Sequence, residues 1–299
     1  MQIGVIGLGK MGYGLACNLK DHGYDVLGYD LNKSSIEKAK EYKILAHDNI
    51  DDFLAEFKER KIIFLLIPAG KIVDEMIDKI KDELEEDDII VDAGNSHYKD
   101  SIRRYKNLKE KSIKFLDCGT SGGPSGARNG ACTMIGGEKK DYNYLKKIFD
   151  DISVKGGSLY TGKAGSGHFV KMIHNGIEYG MMESIAEGYE LLYKSGFDLN
   201  LGSISQLWNQ GSVIRSWLIE LTGNALNKNP DMKGIEGVVN ASGEGKWTVE
   251  TALDMEVPAP VITLSLMMRN RSKEKDTFSG KLLASLRNEF GGHDIIKED

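Results

Sequence analysis

QIGVIGLGKMGYGLACNLKDHGYDVLGYD, residues 2–30, decides the fold by the order of its parts. An apolar strand, Gln2 to Ile6, leads into Gly7, Gly9 and Gly12 of GLGKMG. A helical pattern follows through Lys20, and a second strand, Asp25 to Tyr29, ends on Asp30. Strand, GxGxxG, helix, strand, acid is the fingerprint of a dinucleotide-binding βαβ unit. The glycines allow a tight turn and let a pyrophosphate approach a helix N-terminus, whose unbonded amides and dipole favour an anion. Asp30 closes the second strand where a carboxylate can bond both ribose hydroxyls and repel a 2′-phosphate. Because Leu31 and not an arginine comes next, NAD is the expected cofactor, with NADP as the alternative.

Further along, apolar runs at 61–68, 88–95 and 113–118 alternate with helical patterns at 72–84 and 99–110. Near-continuous apolar strands between amphipathic helices imply a doubly wound, mostly parallel sheet. Ligands of such sheets bind beyond the carboxyl ends of the strands. The expected cofactor edge is therefore Gly7, Leu8, Gly9, Lys10, Met11 and Gly12, then Asp30, Leu31 and Asn32, then Ile67, Pro68, Ala69 and Asn95. GTSGGPSGARNG (119–130) reads as a glycine-rich loop before a short strand, ACTMIGG. In it the amides of Gly122 and Gly123 beside the Ser121 hydroxyl would cradle a carboxylate.

After Lys163 the strand signal largely disappears and helical patterns run to about Leu286, so the chain reads as a Rossmann-type α/β domain (1–163), an all-helical domain (164–286) and a tail (287–299). TGKAGSG at the junction reads as a linker. The leading helix of the second domain holds Lys171, His174, Asn175 and Glu178 at i, i+3, i+4 and i+7, all on one side. Its polar stripe continues into Met182 and Ile185, while Phe169, Met172, Ile173, Gly176, Ile177 and Gly180 make the other side apolar or small. A helix apolar on both flanks is buried, and a buried polar cluster needs partners, which a ligand pocket would supply. GEGKWT (243–248) reads as a small turn holding Lys246 and Trp247. Arg269 lies on an otherwise apolar helix, and the tail carries Arg287 and His293.

A chain of 299 residues, 40% hydrophobic, has room for two domains. Its net charge of -6 disfavours a nucleic-acid groove, and no apolar run approaches a membrane span. Starting directly on a strand leaves no space for a signal peptide, so a cytoplasmic protein is expected. Cys17, Cys118 and Cys132 lack a CxxC pair, which argues against disulfides and a thiolate metal site. His174 and Glu178 have ligand spacing, but Lys171 beside them opposes a divalent cation, so no metal is expected.

KMIHNGIEY, SGGPSGA, GKWT and the RxxxxxH tail resemble the 6-phosphogluconate dehydrogenase family, decarboxylating members of the β-hydroxyacid dehydrogenases, over the whole chain. The length resembles the short form. The resemblance implies Lys171 as general base and acid and Glu178 as the second acid. It also implies that Ser121, Gly122, Gly123, Asn95, His174 and Asn175 hold the sugar acid. Tyr179 and Arg269, with Arg287 and His293 from a second subunit, would hold the phosphate, so a dimer or tetramer is expected. Three positions depart from the commoner long form. Ser242 stands where a phosphate-binding lysine is usual, Pro68 where a cofactor-loop lysine is usual, and Asp30-Leu31 where NADP enzymes carry a neutral residue and arginine. The readings still open are another β-hydroxyacid dehydrogenase, of the 3-hydroxyisobutyrate or small aldehyde-acid type, and a non-catalytic NAD sensor.

Overall fold

The computed structural model describes residues 1–297, and the chain divides into two compact units, Met1–Asn175 and Gly176–Asp299. The first contains β1 (Gln2–Ile6), α1 (Lys10–Asp21), β2 (Asp25–Tyr29), α2 (Lys33–Glu41), β3 (Leu45–His47), α3 (Ile50–Ala55), β4 (Ile62–Leu65) and α4 (Lys71–Ile80). It continues with β5 (Ile89–Asp92), α5 (Tyr98–Lys109), β6 (Lys114–Ser121), α6 (Gly123–Asn129), β7 (Ala131–Gly137), α7 (Lys139–Asp151) and β8 (Ser153–Gly162). A long helix, α8 (Ser166–Lys194), begins in this unit and ends in the other, which also holds α9 (Leu201–Gly211), α10 (Trp217–Lys228), α11 (Gly243–Asp254), α12 (Pro260–Arg271) and α13 (Phe278–Gly291).

The strands form one sheet in the order β3-β2-β1-β4-β5-β6-β7-β8, parallel throughout except for the β6–β7 pair. Strand order reverses between β1 and β4, and ligands of doubly wound sheets bind at that reversal. Gly7 and Leu66 leave the sheet there, held by Gly7 N donating to Tyr29 O at 2.8 Å and Leu66 N to Ile6 O at 2.8 Å. Two cores cover the faces: Val5, Phe64, Val91 and Phe149 belong to one, Ile6, Phe53, Leu65 and Ile90 to the other. Each fully buried phenylalanine contributes on the order of 2–3 kcal/mol. In the helical unit, Tyr189, Ile219 and Leu226 form the buried cluster against which Ile185, Leu201 and Trp208 pack.

Several local expectations need correction. The glycine-rich stretch at 119–130 is not a loop: β6 runs through Ser121 and α6 follows, with Pro124 at its first turn. Packing decides this, because α6 lies against α1, where a Cβ at Gly14 would be 3.3 Å from the Ala127 Cβ. GEGKWT is the opening turn of α11 rather than a free turn. TGKAGSG is more than a linker, since Gly162 ends β8 and Ser166 starts α8. Helix α13 runs on to Gly291 and so includes Arg287.

Candidate active site

The dinucleotide loop is built around glycines with different reasons for being there. Gly7 has φ +92°, and a Cβ on it would lie 2.6 Å from Leu66 O. A Cβ on Gly12 would lie 1.7 Å from Gly7 O, so α1 packs directly on the turn. At Gly9 no protein atom comes within 4 Å of the Cβ position, so the fold does not demand glycine there. The open space there leaves room for a ligand to approach the backbone closely. Gly9 also precedes α1 without a side-chain cap, which leaves the first amides of the helix to an outside acceptor. These features fit a dinucleotide pyrophosphate. Asp30 accepts from Leu8 N at 2.6 Å and from Asn32 N at 2.7 Å, which ties the loop to the end of β2. Leu31 is 75% exposed, and Asn32 caps α2 by accepting from Ser34 N. Pro68, Ala69 and Asn95 are exposed at the ends of β4 and β5, and Ile67 is half-buried.

Lys171 is only 7% exposed. Its place on β6 follows from Gly119, where a Cβ would meet the Lys171 Cβ at 2.4 Å and Gly167 O at 2.8 Å. The first turn of α8 is fixed by Asp117, whose carboxylate accepts from Gly165 N at 2.6 Å and His168 N at 2.9 Å. Burial pushes the Asp117 carboxyl above its ordinary range, against the pull of His168 and those two amides. Gly167 is equally constrained, for a Cβ there would fall 2.3 Å from Met134 O.

One turn on, His174 joins the strand end to the helix: its Nε2 lies 3.2 Å from Ser121 Oγ and its Nδ1 2.9 Å from Asn175 Oδ1. An amide oxygen can only accept, so with this orientation Nδ1 carries the proton and Nε2 accepts from Ser121. The same Nδ1 faces Lys171 Nζ at 3.5 Å. Gly122 (φ +119°) and Gly123 (φ +59°) follow Ser121 in conformations that disfavour side chains.

Within the helical unit, Tyr179 is 5% exposed, its hydroxyl 3.0 Å from Ser242 Oγ and accepting from Ser242 N at 3.0 Å. The Arg269 guanidinium stacks 3.4 Å over the Tyr179 ring and donates to Asn240 O at 3.5 Å. Glu178 is half-buried, two turns beyond Lys171 on α8. Lys246 is exposed beside Glu250. Arg287 and His293 are exposed, and neither has a polar contact with Tyr179, Ser242 or Arg269 among the described residues. Among those residues no group of three or more His, Cys, Asp or Glu could hold a metal, and no helix is long and apolar enough to cross a membrane.

Asp117, Gly119 and Gly167 were not singled out from the sequence. An acid closing the apolar run IKFLDC, with glycine two residues later, was the signal. Gly119→Ala should force α8 off β6, costing about 1–3 kcal/mol of stability and about 10²-fold in kcat/KM through displaced Lys171. Urea unfolding and initial rates measure both, and unchanged rates would contradict the positioning argument.

Residues 2–162 match the model of the NAD binding domain of 6-phosphogluconate dehydrogenase, and residues 167–292 match the model of its C-terminal domain. The chain is 50% identical over 298 residues to a Bacillus subtilis protein named as a candidate 6-phosphogluconate dehydrogenase, covering 100% of both. It is 40% identical to an NAD(+)-dependent, decarboxylating 6-phosphogluconate dehydrogenase of Haloferax volcanii, again covering 100% of both. A solved Plasmodium falciparum 6-phosphogluconate dehydrogenase, described with its cofactor NADP+ and its substrate 6-phosphogluconate, superposes with a TM-score of 0.84 at 34% identity. That match spans 100% of this chain and 66% of the other.

Proposed function

The chain belongs to the 6-phosphogluconate dehydrogenase family, and on that premise we propose that it converts 6-phospho-D-gluconate to D-ribulose 5-phosphate and CO2, with NAD preferred to NADP. The observation that carries the reading is the buried Lys171 amine beside His174, itself joined to Ser121 at the end of β6.

The Gly7–Gly12 loop and Asp30 would hold the nicotinamide cofactor, which would supply the acceptor for the hydride that leaves C3 of the substrate. Lys171, neutral, takes the proton of the C3 hydroxyl as that hydrogen leaves. The 3-keto acid so formed loses CO2 readily once its ketone oxygen can take up charge, and Lys171, now an ammonium, stands to protonate that oxygen. Glu178 in its protonated form then delivers the proton that C1 of the enediol needs, while Lys171, neutral again, takes back the proton of the C2 hydroxyl so that the ketone of the product forms. Ser121, Gly122, Gly123, Asn95, His174 and Asn175 hold the sugar acid. Tyr179 and Arg269 take the phosphate, with Arg287 and His293 from a second copy. Arg269 can grip a phosphate bidentately, which compensates for Ser242 in place of a lysine. Exposed apolar side chains on α12 and α13, such as Leu264 and Phe278, support association of copies, which light scattering on the active protein decides.

Initial rates with 6-phosphogluconate and gluconate against both nucleotides test the proposal. The phosphorylated acid should be the substrate, with kcat/KM for NAD at least about tenfold above NADP, equivalent to ~1.4 kcal/mol. Equal use of gluconate would overturn the substrate assignment, and preference for NADP would overturn the role given to Asp30.

A further inference from the structure

Arg104, on α5, is 2% exposed and reaches four groups. Nε donates to Asp74 Oδ1 at 2.7 Å, Nη1 to Asp92 Oδ2 at 3.1 Å and to Ser96 Oγ at 3.0 Å, and Nη2 to Gly70 O at 2.9 Å. Gly70 ends the loop that begins after β4 and carries Pro68 and Ala69. Ser96 ends the turn that leaves β5 and carries Asn95. Asp92 also accepts from Gly94 N at 3.2 Å, so Asn95 is held on both sides. The two loops touch, because a Cβ at Gly94 would lie 3.1 Å from Ile67 O. One buried guanidinium thus bonds to both segments expected at the cofactor edge, and none of its bonds is to the edge residues themselves.

We propose that Arg104 is a positioning residue that fixes the spacing of the 68–70 and 93–96 loops and thereby sets affinity for the nicotinamide dinucleotide, an inference that rests on the dehydrogenase reading. Planarity is the reason for arginine. Its five donors in a rigid fork reach acceptors in several directions at once, whereas a lysine ammonium keeps the charge but cannot span them. The charge has its own task, because burial works against the Asp74 carboxyl while bonds from Arg104 and Arg103 hold it below its ordinary range. Arg104→Lys therefore separates fork from charge.

NADH fluorescence titration of the full chain tests this, using R104K, S96A and, as a control for lost stability, L108A. Leu108 is a core residue on the same helix, 2% exposed. R104K should weaken NADH binding by about tenfold through loop displacement. S96A, which removes one arm and leaves both ion pairs, should weaken it by about threefold. L108A, measured where it is fully folded, should bind as the wild type does. Wild-type affinity in both R104K and S96A would overturn the proposal, as would an L108A shift equal to theirs. If the unaltered protein fails to bind NADH, the dehydrogenase reading itself falls, an outcome distinct from these.

Discussion

Lys171→Met should lower kcat by about 10³-fold while leaving NADH affinity unchanged. Methionine fills nearly the same volume along the groove made by Gly119, so α8 keeps its seat on β6. Only the amine is lost. The C3 hydroxyl then has no proton acceptor, and the His174 ring, already committed to Ser121 and Asn175, cannot take its place without breaking one of those bonds. Single-turnover NADH formation measures the step directly. A variant that reduces NAD at the wild-type rate would remove Lys171 from the chemistry and revive the NAD-sensor reading or place the base elsewhere.

Glu178→Gln acts later in the same scheme. An amide cannot deliver a proton to C1, so product release should slow by about 10²-fold while hydride transfer proceeds. The expected trace is a burst of NADH equal to the enzyme concentration, then a slow steady phase. A uniformly slow trace without a burst would put Glu178 in the oxidation step instead, and wild-type turnover would remove it from both.

How far the sequence disclosed this arrangement depends on the physics of each element. The βαβ unit from Gln2 to Asp30 was legible because each of its parts agrees locally: apolar strand, glycine turn, amphipathic helix, second strand. Helix α6 was not legible, since Gly-Pro-Ser-Gly has poor helix propensity and the helix exists through its packing on α1. Strand β8 was missed for a related reason. SVKGGSLYTG carries three glycines, is mostly exposed or half-buried, and pairs with β7 through shifts of register, so period-2 alternation is absent. Among the site residues, the spacing of Lys171, His174, Asn175 and Glu178 on one helix was readable from periodicity. What seats that helix was not. Asp117 looked like the polar end of a strand, and its function as the acceptor for the first amides of α8 depends on residues 165–168, far away in sequence. Arg104 was hidden in the same way, as one of two adjacent arginines on a helix whose exposed face is rich in charge.

Carbon dioxide released per NADH formed, from 6-phosphogluconate labelled at C1, tests the central claim most directly. One labelled CO2 for each NADH is the predicted ratio. NADH without labelled CO2 would show a simple hydroxyacid oxidation and contradict the decarboxylating chemistry assigned to Lys171 and Glu178.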